Sequence, residues 1–356
     1  METAEFDYSL PAELIAQAPC ARRDQSRLLV LHRRTGLIEH RVFRDVLDYV
    51  VGGDVLVLND SRVIPARLIG RAAGTGGKFE ILLLEELERN LWQALVRPGR
   101  RARIGTQIII SSNSPCEIAA EIVGKTAAGQ YTVQFKNVPN ILSVLDSVGE
   151  VPLPPYIRRP GGKTTDEDRK RYQTVYARKN GSVAAPTAGL HFTEELLEQI
   201  RAKGVEVRFV TLHVGVGTFA PVRASKVEAH RMHSERYEIS AETAEAICAA
   251  KKDGRRIIAV GTTTVRVLES VALDTGGMVR AGAGRTSLFI YPPFKFRVVD
   301  ALITNFHLPR STLLMLVSAF AAPGETTGRE LILRAYQEAI ALRYRFYSYG
   351  DAMLIV

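Results

Sequence analysis

Apolar and polar positions alternate in two different ways along the chain. In the first, short apolar runs are separated by longer segments with helical spacing. Asp54-Val55-Leu56-Val57-Leu58-Asn59 is one such run, closed by Gly53 before it and a polar residue after it. A bounded apolar run of this length reads as a buried strand. Leu28 to Leu31 reads the same way. Pro11 to Ala16 reads as a short helix before these strands and Val42 to Val50 as one between them. Beyond Ser182 the alternation becomes regular. Strands are expected at Ser182 to Ala185, Val205 to His213, Arg256 to Val260, Ser287 to Tyr291, Ala301 to Thr304 and Ala352 to Val356. Helices are expected from Thr193 to Lys203, Ser240 to Asp253, Thr262 through Val271, Ser311 to Ala321 and Arg329 to Arg343. Thr193, Ser240 and Ser311 stand where N-caps are needed, and Gly204 and Gly254 follow two of the helix ends. Strands alternating with helices predict an α/β domain with a mostly parallel sheet covered on both faces.

The second pattern runs from Val63 to Val151. Six short segments alternate with period two: Ala66 to Arg71, Lys78 to Glu86, Leu91 to Val96, Gln107 to Ile110, Cys116 to Val123 and Tyr131 to Phe135. Glycines and polar turns separate them, which predicts a small antiparallel β-barrel. Asn140 to Ser147 has helical spacing, and Val151-Pro152-Leu153-Pro154-Pro155-Tyr156 is too rich in proline for a regular element. The expected organisation is a discontinuous α/β catalytic domain, residues 1–62 plus 152–356, interrupted by an inserted six-stranded β-barrel domain at 63–151.

Composition narrows the class. The 356 residues are 46% hydrophobic and 24% charged, enough for a large core. No apolar run approaches the roughly 18 residues needed to span a bilayer. The first ten residues lack an apolar signal core, so a cytoplasmic protein is expected. Cys20, Cys116 and Cys248 are far apart and odd in number, which argues against a disulfide framework and fits a reducing compartment. The formal charge of +9 admits a polyanionic partner. Between Ile157 and Asn180 there are eight Lys/Arg against three Asp/Glu, and Arg97, Arg100, Arg101 and Arg103 form a second basic run. Such runs are ordinarily solvated faces, yet two of them on a basic chain favour phosphate contact.

Candidate chemistry gathers at strand ends. Pro186, Thr187, Ala188 and Gly189 form a turn that carries His191 to the helix capped by Thr193. Two readings stand for this turn: a tight local connection, or a ligand loop at a helix N-terminus. His213 ends a strand and is followed by Gly215, Gly217 and Thr218, without the spacing of a dinucleotide fingerprint. Gly261-Thr262-Thr263-Thr264-Val265-Arg266 joins a strand to a helix and lacks the lysine of a phosphate-binding Walker loop. Its hydroxyls suit either plain capping or an anion or nucleoside hydroxyl. Asn305, His307 and Ser311 mark another strand–helix junction. Arg345, Tyr349 and Asp351 lie in a run that interleaves arginines and aromatics, suited to base stacking or to ending a core helix. His230 and His233 have no partners at a zinc spacing, so no metal is expected. Neither a Gly-x-Ser-x-Gly elbow nor a kinase motif set is present. These features support an α/β enzyme with a nucleoside-like or anionic ligand, and leave the reaction open.

A resemblance supplies what spacing does not. Ser182 to Thr193 resembles the signature of the S-adenosylmethionine:tRNA ribosyltransferase-isomerase family of queuosine biosynthesis. Phe6-Asp7-Tyr8-Ser9-Leu10-Pro11, Arg23 to Leu28, Leu58 to Arg67, Gly77 to Leu84 and Tyr172 to Ala177 resemble its earlier blocks. Thr211 to Phe219, His230 to Glu235, Gly261 to Ser270, Thr304 to Thr312 and Tyr344 to Met353 resemble its later ones. Ala321-Ala322-Pro323 departs from the pattern at a helix end. The resemblance covers nearly the whole chain in order. It implies an α/β domain interrupted by a β-barrel, and S-adenosylmethionine as co-substrate with no bound cofactor and no metal. It also implies a tRNA partner carrying the 7-deazaguanine preQ1 at the wobble position of its anticodon. The ribosyl group would be transferred to the preQ1 amine and isomerised, giving epoxyqueuosine-tRNA with release of adenine and methionine. A monomer is expected.

On this reading His191, His213 and Asp351 are the acid–base candidates. Arg62, Arg67, Arg266 and Arg345 are candidates for tRNA phosphates or the methionine carboxylate. The turn residues Pro186 to Gly189, Gly217 and Thr218, Thr262 and Thr263, and Asn305, His307, Ser311 and Tyr349 complete the expected substrate contacts. Two rivals remain: an S-adenosylmethionine-dependent RNA methyltransferase, which would make S-adenosylhomocysteine, and a non-catalytic tRNA-binding module.

Overall fold

The computed structural model describes residues 1–110, 117–127, 129–162, 164–215, 217 and 222–356. Along the chain come β1 (Arg27–His32), β2 (Leu37–Val42), β3 (Val55–Asn59) and β4 (Ser61–Val63). Six longer strands follow, β5 (Arg67–Ala72), β6 (Lys78–Glu88), β7 (Leu91–Arg97), β8 (Gln107–Ile110), β9 (Ile118–Lys125) and β10 (Tyr131–Lys136). After α1 (Leu145–Val148) and the two-residue β11 (Gly149–Glu150) come α2 (Asp166–Arg171), β12 (Lys179–Ser182), α3 (Glu194–Ala202) and β13 (Glu206–Leu212). The last third holds β14 (Glu235–Ile239), α4 (Ala241–Lys252), β15 (Ile257–Val260), α5 (Thr262–Asp274), β16 (Gly282–Thr286), β17 (Ala301–Asn305), α6 (Thr312–Ala321), α7 (Gly328–Ala341) and β18 (Ala352–Ile355).

Nine strands form the main sheet in the order β16-β14-β13-β3-β15-β17-β18-β1-β2. Its centre, β13-β3-β15-β17, is parallel throughout. β18 runs antiparallel to β17 and parallel to β1, and the edge pairs β13–β14, β14–β16 and β1–β2 are antiparallel. The sheet is therefore mixed, with the parallel part in the middle. Period two explains its burial. On β3, Val55 and Val57 enter the core shared with α4 to α7, while Leu56 and Leu58 enter the core shared with α3 and the 3-10 turn Phe43–Tyr49. Both faces are thus covered, as a parallel sheet requires.

The sheet β5-β6-β7-β10-β9-β8 closes on itself through β5–β8, giving a six-stranded antiparallel barrel with its own core. Closure removes the edge strands. Arg285 and Arg236, on β16 and β14, both reach Glu85 of β6 and tie the barrel to the sheet edge (2.7 and 3.4 Å).

Two expected strands are corrected. Ser182 to Ala185 is not a strand of the main sheet: β12 ends at Ser182 and pairs in parallel with β4 in a separate two-stranded ribbon. Pro186 and the turn after it redirect the chain there. Ser287 to Tyr291 forms no strand, and β16 lies just before it, antiparallel to β14. The Leu288 carbonyl is taken by the Arg266 guanidinium instead of a neighbouring strand (3.1 Å). Cys116 lies outside the described residues.

Candidate active site

The four central strands all end at one edge of the sheet, at Asn59, Leu212, Val260 and Asn305. A narrow cleft opens there between β15 and β17, with about 50 Å3 of space open to water. Gly261 (φ 87°) turns β15 directly into α5, and its N–H is held by the Ile303 carbonyl at 2.8 Å. A side chain at that φ would be strained. Unlike α3, α4 and α6, whose Thr193, Ser240 and Ser311 cap them, α5 starts without a side-chain cap. The first N–H groups of α5 thus lack a capping oxygen and Thr262 and Thr263 line the cleft. Asn59 donates to Thr263 Oγ1 (3.2 Å), which leaves that hydroxyl proton for the cleft. The turn residues Pro186, Thr187 and Ala188 form one further wall, and Tyr156 and Tyr347, with ring centroids 4.8 Å apart, another.

His307 also lines this cleft, and burial pushes its imidazole down to about 3. Its Nε2 meets Thr304 Oγ1 at 2.8 Å. His191 sits behind the cleft. Its ring stacks on Phe43 (5.0 Å, 29°) and is 4% exposed. Ser26 Oγ donates toward the Arg23 carbonyl (3.3 Å) and so accepts from His191 Nδ1–H at 2.7 Å. Asn305 Nδ2 then donates to His191 Nε2 at 3.1 Å and to the Tyr347 carbonyl at 3.3 Å. Burial, and after it the charges of Arg345 and Arg23, push His191 down to about 3. Both ring nitrogens are occupied and the ring is covered. The structure places His191 behind the cleft wall rather than facing the pocket, with its Nε2 on the amide of Asn305.

His213 faces a second cleft, between the sheet edge and the barrel, with about 810 Å3 of empty space including its mouth. Glu85, Arg236, Arg285 and His233 share it. The two clefts lie on opposite sides of one extended segment, with Val214 lining the first and His213 and Gly215 the second. Val214 N–H donates to Ser182 Oγ (2.9 Å), so the Ser182 hydroxyl is free to donate to Ser61 Oγ (2.7 Å) and Ser61 to His213 Nδ1 (2.9 Å). That chain leaves the His213 proton on Nε2. Burial, then Arg236, lowers its pKa to about 4, so it is neutral at pH 7. Gly217 lies against the His233 ring, where a Cβ would come within 2.3 Å. Thr218 lies outside the described residues.

Several other expected contacts serve the fold. Arg266 is buried on α5 and pairs with Glu235 Oε2, while Glu235 Oε1 accepts from Gly215 N–H (2.9 Å). Through Glu235 it braces the glycine segment. Asp351 is 2% exposed, and its carboxylate accepts from the backbone N–H of Arg27 (3.0 Å) and of Arg345 (2.8 Å). It fastens the start of β1 to the turn before β18, and lines neither cleft. Arg345 points back to Asp351 and the Ala18 carbonyl, both at 3.4 Å. Tyr349 packs edge-on to Tyr172, with its hydroxyl 3.4 Å from Asp168. Ser311 caps α6 through Leu314 N–H (3.2 Å) and donates to the Leu308 carbonyl (2.7 Å), which uses its hydroxyl fully. Gly189 packs against Tyr176 and is not in the cleft wall. Arg67 is held by Glu80 (2.9 Å) and Glu150 (3.3 Å) beside the proline-rich crossing. Arg62 is exposed on β4. The sequence reasoning missed Ser26, Ser61, Thr304 and Tyr347. All four fall inside blocks that carry the family resemblance, the one signal that marked them. Among the described residues no three His, Cys, Asp or Glu side chains come together, and no helix is long and apolar enough to cross a membrane.

Residues 3–355 match the queuosine biosynthesis protein family. The chain is 52% identical over 356 residues to the S-adenosylmethionine:tRNA ribosyltransferase-isomerase of Symbiobacterium thermophilum, covering all of both chains. It is 51% identical, again end to end, to the protein of that name from Desulforamulus reducens. Among solved structures it resembles the S-adenosylmethionine tRNA ribosyltransferase of Thermotoga maritima at 41% identity and a TM-score of 0.55, covering 99% of this chain and 100% of the other.

Proposed function

The chain belongs to the queuosine biosynthesis protein family, and we propose on that premise that its sheet-edge clefts hold the substrates of a ribosyl transfer. It is an S-adenosylmethionine:tRNA ribosyltransferase-isomerase, with S-adenosylmethionine and tRNA as substrates. The first cleft takes S-adenosylmethionine, and the second takes the preQ1 base at the wobble position of the anticodon. The supporting observation is that among the described residues no Lys, Arg, Asp or Glu lines the first cleft, and the histidine that does, His307, is held neutral by burial. A cleft of this kind does not oppose a sulfonium cation, and its aromatic rings favour one. The second cleft carries charged groups of both signs, suited to the polar edge of a base and its amine.

The sulfonium makes the neighbouring C5′ hydrogens acidic. Loss of one gives an ylide that expels the ring oxygen from C4′, and the C1′ alkoxide so freed collapses to an aldehyde with departure of adenine. The tRNA amine then adds at C4′ of the vinyl sulfonium and gives up a proton, C5′ closes on C1′, and the C1′ alkoxide displaces methionine from C5′ to form the epoxide. These steps need proton transfers. His213 is the group placed to relay them, because its ring borders the second cleft and its Nδ1 is backed by two serine hydroxyls. Arg62 and the basic run from Arg97 to Arg103 give the tRNA backbone a contact face. The direct test is to incubate the protein with S-adenosylmethionine and preQ1-tRNA. Free adenine and methionine are expected. S-adenosylhomocysteine would indicate a methyltransferase, and salt-sensitive tRNA binding without consumption of S-adenosylmethionine would indicate a binding module.

A further inference from the structure

Asn305 Oδ1 is buried with no hydrogen-bond partner, although the residue is only 2% exposed and lines the first cleft. Its amide nitrogen is turned to His191 and the Tyr347 carbonyl, which leaves the oxygen as the unpaired group of a residue in the cleft wall. A buried acceptor without a donor is costly and uncommon. On the adjacent strand end stands the uncapped N-terminus of α5, a 13-residue helix. β15 and β17 are paired neighbours, Val260 opposite Ile303. An acceptor and a set of free N–H donors therefore face one cleft from adjacent strands, about 5 Å apart at their backbones.

We infer that this edge of the cleft holds the amino-acid end of S-adenosylmethionine, with its carboxylate on the first N–H groups of α5 and its ammonium on Asn305 Oδ1. The inference rests on the reading that the chain consumes S-adenosylmethionine. A carboxylate is the ligand that a helix N-terminus favours, through both its free N–H groups and its dipole. The Thr263 hydroxyl, its oxygen already engaged by Asn59, adds a donor to the same side. An ammonium on the adjacent carbon then meets the unpaired Asn305 Oδ1. The sulfonium, a few bonds along, falls toward the rings of Tyr156 and Tyr347. His191 and Ser26 act as positioning residues, because they keep the amide nitrogen turned away and the oxygen turned inward.

The test is equilibrium binding to the full chain, with three probes: S-adenosylmethionine, 5′-methylthioadenosine, which lacks the amino-acid part, and decarboxylated S-adenosylmethionine, which lacks the carboxylate. Wild-type protein is expected to bind the decarboxylated compound about 10- to 100-fold more weakly than S-adenosylmethionine. Asn305→Ala is expected to weaken S-adenosylmethionine by about the same factor and to leave 5′-methylthioadenosine within about twofold. Equal weakening of S-adenosylmethionine and 5′-methylthioadenosine would assign Oδ1 to the nucleoside and overturn the inference. An unchanged affinity of Asn305→Ala for S-adenosylmethionine would overturn it too. The wild-type comparison of the two sulfonium compounds needs no variant, so it decides the carboxylate half even if Asn305→Ala fails to fold. Absence of adenine release by wild type in the assay above would instead sink the functional reading.

Discussion

Asn305 Nδ2 lies 3.1 Å from His191 Nε2, and through that contact a residue in the cleft wall is oriented by a ring that never reaches the cleft. Deleting the ring should therefore affect stability first and catalysis second. His191→Ala leaves a void beside Phe43 and strands Ser26 and Asn305. A loss of about 2–4 kcal/mol of unfolding free energy is expected. In steady-state kinetics the KM for S-adenosylmethionine should rise more than kcat falls, and the shape of the pH–rate profile should persist. Disappearance of one limb of that profile would make His191 an acid–base group after all.

His213 gives the opposite expectation. Its ring is partly exposed and borders the barrel junction, so His213→Ala should fold with little loss of stability. Single-turnover formation of product should slow by about 100- to 10,000-fold if it relays protons in the reaction. A wild-type rate would remove it from the mechanism.

The Arg266–Glu235 pair is buried on both sides. Removing one partner leaves a charge in the core, so Arg266→Ala should cost about 3–5 kcal/mol of stability. Denaturant unfolding measures this. Arg266→Met should be less harmful in combination with Glu235→Gln than alone, since the combination leaves no unpaired charge.

A Cβ on Gly189 would lie 2.0 Å from the Tyr176 hydroxyl oxygen. That oxygen is buried without a partner. Gly189→Ala should thus destabilise by about 1–3 kcal/mol through overpacking. Tyr176→Phe alone should be nearly neutral, and adding it to Gly189→Ala should restore part of the loss. Thermal unfolding of the four proteins closes the cycle. Strict additivity would mean that the two groups do not touch.

Burial lowers His191 and His307 to about 3 and His213 to about 4. All three are neutral in the native protein at pH 5, whereas in the unfolded chain their ordinary value is about 6.5. Unfolding therefore takes up protons, and stability is full above about pH 6.5 and falls as pH drops toward the native values. The two fully covered rings alone give a slope of about 3 kcal/mol per pH unit near pH 5, with His213 adding less. Urea titrations between pH 7.5 and 5 check this. A flat profile across that range would mean that the imidazoles are not shielded.

Much of the fold was legible because it follows from local rules. Apolar runs marked β1, β3, β15, β17 and β18. Thr193, Ser240 and Ser311 marked the helix starts that they do cap. Period-two alternation marked the six barrel strands. The edge strands β2 and β16, and β14 beside β16, escaped notice, since strands at a sheet margin carry polar residues and weak patterning. Ser287 to Tyr291 misled because an apolar run can pack as irregular chain when its carbonyls find another donor, here Arg266.

The sequence by itself determined the layered α/β architecture, the inserted barrel and, through blocks spread over the whole chain, the family. Those properties depend on residues near one another or on their order. Tertiary structure alone decided which polar groups line a cleft and which are spent on one another. Ser26, His191 and Asn305 are separated by 165 and 114 positions and meet because three chain segments end at one sheet edge. Asp351, Arg266 and Tyr349 have the same chemistry as catalytic groups, but burial and backbone partners commit them to the fold. Side-chain type gives chemical capacity; only packing decides whether that capacity is already used.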